Sequence, residues 1–129
     1  MKSNELRIGN YVYFKHCDYD INIPRKINYT KNPNLVGLDG VFQNQIEYNN
    51  IIGIPLRKEI LEKFGFETTA WDNHETYRKM VGNNDYTIVI SSSGICEIGD
   101  CIIKELKYLH ELQNLLYYLI GFEFECGGF

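Results

Sequence analysis

The sequence predicts an α+β fold, and three observations carry that prediction. The first 54 residues break into short β-branched and aromatic runs separated by glycine, asparagine and proline turns. A later stretch, Thr68 to Ile98, alternates as further hairpins. The last third, Ile102 to Gly121, carries Leu106, Leu109, Leu112, Leu116 and Leu119 at spacings of three and four, which places them on one face of a long helix. The expected architecture is an N-terminal small β-barrel or bent antiparallel sheet, a short middle helix, further β-hairpins and a long C-terminal amphipathic helix.

In chain order, Gly9-Asn10 turns into Tyr11-Val12-Tyr13-Phe14, a run suited to a strand. The polar stretch His16 to Asn34 holds Ile21, Ile23, Ile27 and Tyr29 at spacings of two and four, enough for one or two short strands, and Asn32-Pro33-Asn34 marks a turn. Leu35 to Leu38 and Gly40 to Phe42 flank Asp39-Gly40, a hairpin dipeptide. Ile46-Glu47-Tyr48 alternates, and Ile51 to Ile54 runs into Pro55, which suits the first turn of a helix. In that helix Leu56, Ile60, Leu61 and Phe64 form the buried stripe, and Glu59 stands four residues before Lys63 in the favourable order. Gly65-Phe66-Glu67 stops it, and Gly121-Phe122-Glu123 repeats the same stop after the long helix. Thr68 to Trp71, Glu75 to Val81, Tyr86 to Ile90 and Ile95 to Ile98 read as strands between them. Asp100 is placed to cap the long helix, and Phe122 to Glu125 alternates as an edge strand.

The chain has 129 residues, no linker-like stretch and no internal repeat, so residues 1–129 are expected to form a single domain. Its 44% apolar and 23% charged content is ordinary for a globular protein. Lys104, Glu105, Lys107, His110 and Glu111 interrupt the best candidate for a membrane span, so no membrane association is expected. The opening Met1 to Glu5 leads into no apolar stretch of the signal-peptide kind, and the expected compartment is the bacterial host cytosol. There Cys17, Cys96, Cys101 and Cys126 are expected to be reduced and buried as small hydrophobes.

Charge divides unevenly. Residues 1–65 hold nine Lys/Arg against seven Asp/Glu, and residues 66–129 hold four against ten. An acidic C-terminal half suits a basic partner and argues against a general nucleic-acid binder.

Catalytic chemistry is not apparent. His110 has no carboxylate or nucleophile partner within reach on its helix, since Glu111 points to another side. His16 and Cys17, read as adjacent strand residues, point apart, and a zinc site would have to recruit them to Cys96 and Cys101. Asp72-Asn73-His74-Glu75 lacks a recognised ligand spacing, and Ser91-Ser92-Ser93-Gly94 precedes no helix N-terminus that could hold an anion. The expectation is a protein that is not an enzyme and holds no cofactor or metal. Ten tyrosines with abundant asparagine instead suit an interface. Tyr11 and Tyr13 are candidate contact residues, with Lys15, Arg25, Lys26 and Lys31 as candidate phosphate contacts.

At three places the chain resembles small, mostly uncharacterised proteins encoded by phages and prophages. The matching segments are Asn4-Glu5-Leu6-Arg7-Ile8-Gly9-Asn10, then Gly53 to Leu56 with Phe64 to Phe66, and finally Leu106 to Leu115. Where that family places Thr-Glu after Ile-Pro-Leu, this chain has Arg57-Lys58, which removes a helix cap and adds positive charge. The resemblance implies a phage or mobile-element accessory protein. It also singles out His110, Gln113 and Asn114 as the polar part of a recurring motif, for contact or for pinning the helix to the N-terminal sheet. Together these features lead to the expectation of a binding protein that inhibits a host defence complex of the CRISPR type, its partner a host protein or ribonucleoprotein. The alternative is an RNA or single-stranded DNA module built on the N-terminal strands. A homodimer through the C-terminal helix is a further expectation for its leucine face.

Overall fold

A computed structural model describes residues 6–31, 35–41, 45–71, 74–81, 86–99 and 101–124. Among the described residues, two antiparallel sheets and two α-helices make the fold α+β. By their contacts the described residues gather into two compact units, one of residues up to Pro55 with Tyr108–Leu115, the other of Leu56–Lys107 with the residues from Leu116 to Phe124.

The first unit is built on five strands: β1 (Tyr11–Phe14), β2 (Arg25–Lys31), β3 (Leu35–Leu38), β4 (Ile46–Glu47) and β5 (Ile51–Gly53). They form an open sheet in the order β4-β3-β2-β1-β5, so it is the bent-sheet alternative, without barrel closure, that describes it. Val12, Phe14, Ile27, Val36, Leu38, Ile46 and Ile51 supply its core, joined by Leu6 and Tyr48. Ile21 and Ile23 do not join a strand. Asp20 Oδ1 accepts the Asn22 N–H at 2.9 Å, an Asx turn that leaves both isoleucines exposed. Asp39-Gly40 turns as expected, with Gly40 at φ +76°, but β3 pairs with β4 through Leu35↔Glu47 and Val36↔Ile46. Val41 lies outside any strand, and Phe42 and Asn32 to Asn34 fall outside the described residues.

The helix α2 (Leu109–Ile120) begins in this unit. Its start is fixed by backbone pairing: Pro55 and Tyr108 form an isolated β-bridge, and the Leu109 N–H donates to the Ile54 carbonyl at 2.8 Å. Glu111 caps it, its Oε1 accepting the Tyr108 N–H at 2.9 Å, the carboxylate half of a capping box.

The second unit opens on α1 (Lys58–Lys63), three residues after Pro55. Arg57 at its N-cap makes no capping hydrogen bond through its side chain. Its end is a Schellman motif: the Gly65 N–H donates to the Glu62 carbonyl and the Phe66 N–H to the Leu61 carbonyl, both at 3.0 Å, with Gly65 at φ +88°. The strands β6 (Glu67–Trp71), β7 (His74–Val81), β8 (Tyr86–Ser91), β9 (Ile95–Ile98) and β10 (Cys101–Glu105) then form an antiparallel meander in the order β10-β9-β8-β7-β6.

The stretch expected to open the long helix is a strand. Gly99 at φ +57° stands between β9 and β10, which pair antiparallel through Ile98↔Cys101, and Asp100 lies outside the described residues. All five residues of β10 are exposed, and its register slips between Ile102 and Lys104. Leu106 is buried without being helical, Leu109, Leu112 and Leu116 are buried on α2, and Leu119 is 55% exposed.

The second stop differs from the first. Gly121 takes φ +68°, yet the Phe122 N–H reaches back to the Leu116 carbonyl at 3.2 Å, one residue wider than in α1. The tail does not extend as a strand through Phe124. Phe124 is buried, with Phe64 at 5.0 Å and Phe66 at 6.0 Å between ring centroids, and Glu125 and Cys126 fall outside the described residues.

Candidate functional site

The polar residues of the first and last resembling segments meet within the first unit. Gly9 takes φ +100°, a turn that only a residue without a Cβ adopts freely, and sets Asn10 beneath the helix. Asn10 Oδ1 accepts the Arg7 N–H at 2.7 Å, while Asn10 Nδ2 donates to Asn114 Oδ1 at 2.8 Å. Arg7 Nε reaches the same Asn114 oxygen at 3.1 Å. Gln113 matches both of its amide atoms to the backbone: Oε1 accepts the Tyr11 N–H and Nε2 donates to the Gly9 carbonyl, each at 2.9 Å. The Gln113 side chain is therefore fully engaged at 1% exposure.

This network pins α2 to the N-terminal strands. Tyr11, Gln113 and His110 are buried, His110 with its ring stacked on Tyr108 at 5.7 Å, so as contact residues for a partner they do not fit. Their chemistry is directed inward, because a buried backbone N–H or carbonyl without a partner costs about 1–3 kcal/mol. Asn114 is half-buried within the same bonds.

The remaining candidates of this unit lie nearer solvent. Lys15, Lys26 and Lys31 are exposed and Tyr13 is half-buried. Arg25 lies over the Tyr19 ring at 5.2 Å and donates weakly to the Asp39 carbonyl at 3.4 Å. Beside Tyr19 a second cluster forms. β1 ends at Phe14, so His16 and Cys17 are not strand neighbours; Cys17-Asp18 forms a turn that gathers one ligand atom from each of His16, Cys17 and Asp18 within 4.8 Å. Among the described residues this is the one such group. His16 is held between Phe14, stacked at 5.5 Å, and the edge of Tyr19 at 5.7 Å. The strand assumption hid this group; the signal was the Cys-Asp-Tyr-Asp run, whose acids favour turns.

No family model, curated protein or solved structure matches this chain.

In the second unit, Arg57 and Lys58 line a cleft of about 620 Å³ together with Lys107, Glu59, Glu75 and Glu105. Its three cations and three carboxylates give it no single sign. Tyr77, also on its wall, donates to Glu75 Oε2 at 3.0 Å. Burial holds its phenol above the usual tyrosine value, with the Glu75 hydrogen bond and charge adding to the effect. His74 is exposed, and Asp72 and Asn73 lie outside the described residues.

Of the cysteines, Cys96 is buried as expected, whereas Cys17 and Cys101 are exposed. The sequence also concealed an apolar surface. Tyr118 is 72% exposed and stands beside Leu119 and Tyr117 at the end of α2, its ring edge-on to Tyr117 at 5.5 Å. The leucine periodicity assigned Leu119 to the core and so masked this patch.

Proposed function

We propose that the chain is a non-enzymatic binding protein of phage or mobile-element origin that acts in the bacterial cytosol by protein–protein contact, as an inhibitor of a host defence complex of the CRISPR type. The supporting observation is the exposed Tyr117-Tyr118-Leu119 surface. Tyrosine offers rigid amphipathic area at low entropic cost and is enriched among interface anchors. The acidic balance of residues 66–129 adds attraction to a basic partner. Among the described residues no helix is long and apolar enough to cross a membrane.

The test is an affinity capture of the tagged chain from host lysate, with and without nuclease, run in parallel with Leu119→Asp. A stoichiometric protein that survives nuclease, is lost with Leu119→Asp and dissociates more readily at high salt meets the proposal. Equal capture by the variant removes it.

A second reading has its own support in the exposed Lys15, Lys26 and Lys31 and in the Arg25–Tyr19 pair, the ingredients of a single-stranded nucleic-acid platform. It predicts binding of RNA or single-stranded DNA with a steep salt slope. Absence of a mobility shift at low salt ends it.

A further inference from the structure

We propose that His16, Cys17 and Asp18 form a zinc site, a nitrogen, sulfur and oxygen set from three consecutive residues. Zinc binds these atoms at about 2.0–2.3 Å in tetrahedral geometry, which sets ligand atoms roughly 3.4–3.6 Å apart. Cys17 Sγ lies 3.8 Å from Asp18 Oδ1, and His16 Nδ1 lies 3.8 Å from Asp18 Oδ2. These two distances end on different oxygens of Asp18, and with one ligand atom from each residue the three lie within 4.8 Å of one another, so closure on the ion draws them together by up to about 1 Å.

The histidine is already arranged for the role. Its Nδ1, the ligand nitrogen of the trio, accepts the Asp18 N–H at 3.1 Å. Coordination at Nδ1 exchanges that bond for the metal and releases an exposed N–H to water. Phe14 and Tyr19 fix the plane of the imidazole, which lowers the entropy lost on binding. Cys17 and Asp18 are exposed, so the ion enters from solvent and water fills the fourth position. The thiol gives up its proton to bind; zinc uptake releases that proton and strengthens as pH rises. The bound ion would tie down the segment between β1 and β2, which carries Tyr19.

Cobalt(II) provides the probe, titrated into the reduced full chain. The expected result is a one-to-one complex with thiolate-to-cobalt charge-transfer absorption, displaced by zinc. Cys17→Ser abolishes the band, His16→Gln and Asp18→Asn each weaken cobalt binding at least tenfold, and Cys101→Ser leaves it unchanged. No band in the parent chain, a band that persists in Cys17→Ser, or one that disappears with Cys101→Ser overturns the site. Far-UV circular dichroism checks each variant. Should His16→Gln disturb the ring cluster, the exposed pair Cys17→Ser and Asp18→Asn decides.

Discussion

Asn10 and Asn114 are joined by a 2.8 Å hydrogen bond across 104 positions of sequence, and the Gln113 amide beside them closes on the backbone of Gly9 and Tyr11. Replacing Gln113 by leucine strands the buried Gly9 carbonyl and Tyr11 N–H together. At about 1–3 kcal/mol for each, the expected loss is about 2–6 kcal/mol in urea unfolding. A change below about 0.5 kcal/mol would show that the network does not hold the helix.

Gly94 and Gly99 both take positive φ, at +91° and +57°, but only Gly94 is closely walled. A Cβ there would clash with the Leu106 carbonyl oxygen, whereas at Gly99 nothing lies within 4 Å. Gly99→Ala is expected to cost about 1–2 kcal/mol, the left-handed penalty alone. Gly94→Ala must also displace backbone and should cost clearly more. Equal melting temperatures for the two variants contradict this placement.

Ile102 and Leu109 test where the helix begins. On an exposed strand at 72% exposure, Ile102→Lys should change stability by no more than about 0.5 kcal/mol. Leu109→Ala, in the core, should lose about 2–5 kcal/mol. A large loss from Ile102→Lys would restore the longer helix.

Burial pushes the Cys96 thiol up to about 11, with Glu97 adding to the shift, against 9.0 for the free group. Because the folded value is the higher, its contribution to stability is complete below about pH 9 and is lost as pH rises through about 11. Denaturation curves between pH 8 and 11, on the order of one pH unit apart, should show Cys96→Ala losing stability less steeply than the parent. Iodoacetamide at neutral pH should label Cys17 and Cys101 and spare Cys96; labelling of Cys96 in the native state counts against its burial.

Strand punctuation in the sequence anticipated most of the fold, because glycine, asparagine and proline act locally. Tyr86 to Ile90 and Ile95 to Ile98 appear within a residue of their expected bounds. The long helix was overextended for a physical reason. Leu106 continues the three-and-four spacing of α2 by coincidence, while Gly99-Asp100 followed by two β-branched isoleucines was the competing hairpin signal. The polar network was half legible: its residues stood out as recurring motifs, but its inward direction depends on a contact between positions 7–11 and 113–114, which no local pattern encodes. The exposed Tyr118 patch was hidden because a period names a face without saying where it ends, and the His16 turn because the run after Phe14 was read as strand despite its turn-favouring acids.

The pairing of Gly9 with Gln113 also orders events during synthesis. The carbonyl of Gly9 emerges from the ribosome 104 residues before the amide that satisfies it. At about 5–20 residues per second, the N-terminal sheet waits roughly 5–20 s for its last element. During that interval the segment from Leu56 to Lys107, whose ends are joined by the Leu56 N–H to Lys107 carbonyl bond at 3.0 Å, is made in full. The nascent chain thus has its second unit's strands complete before its first unit can close.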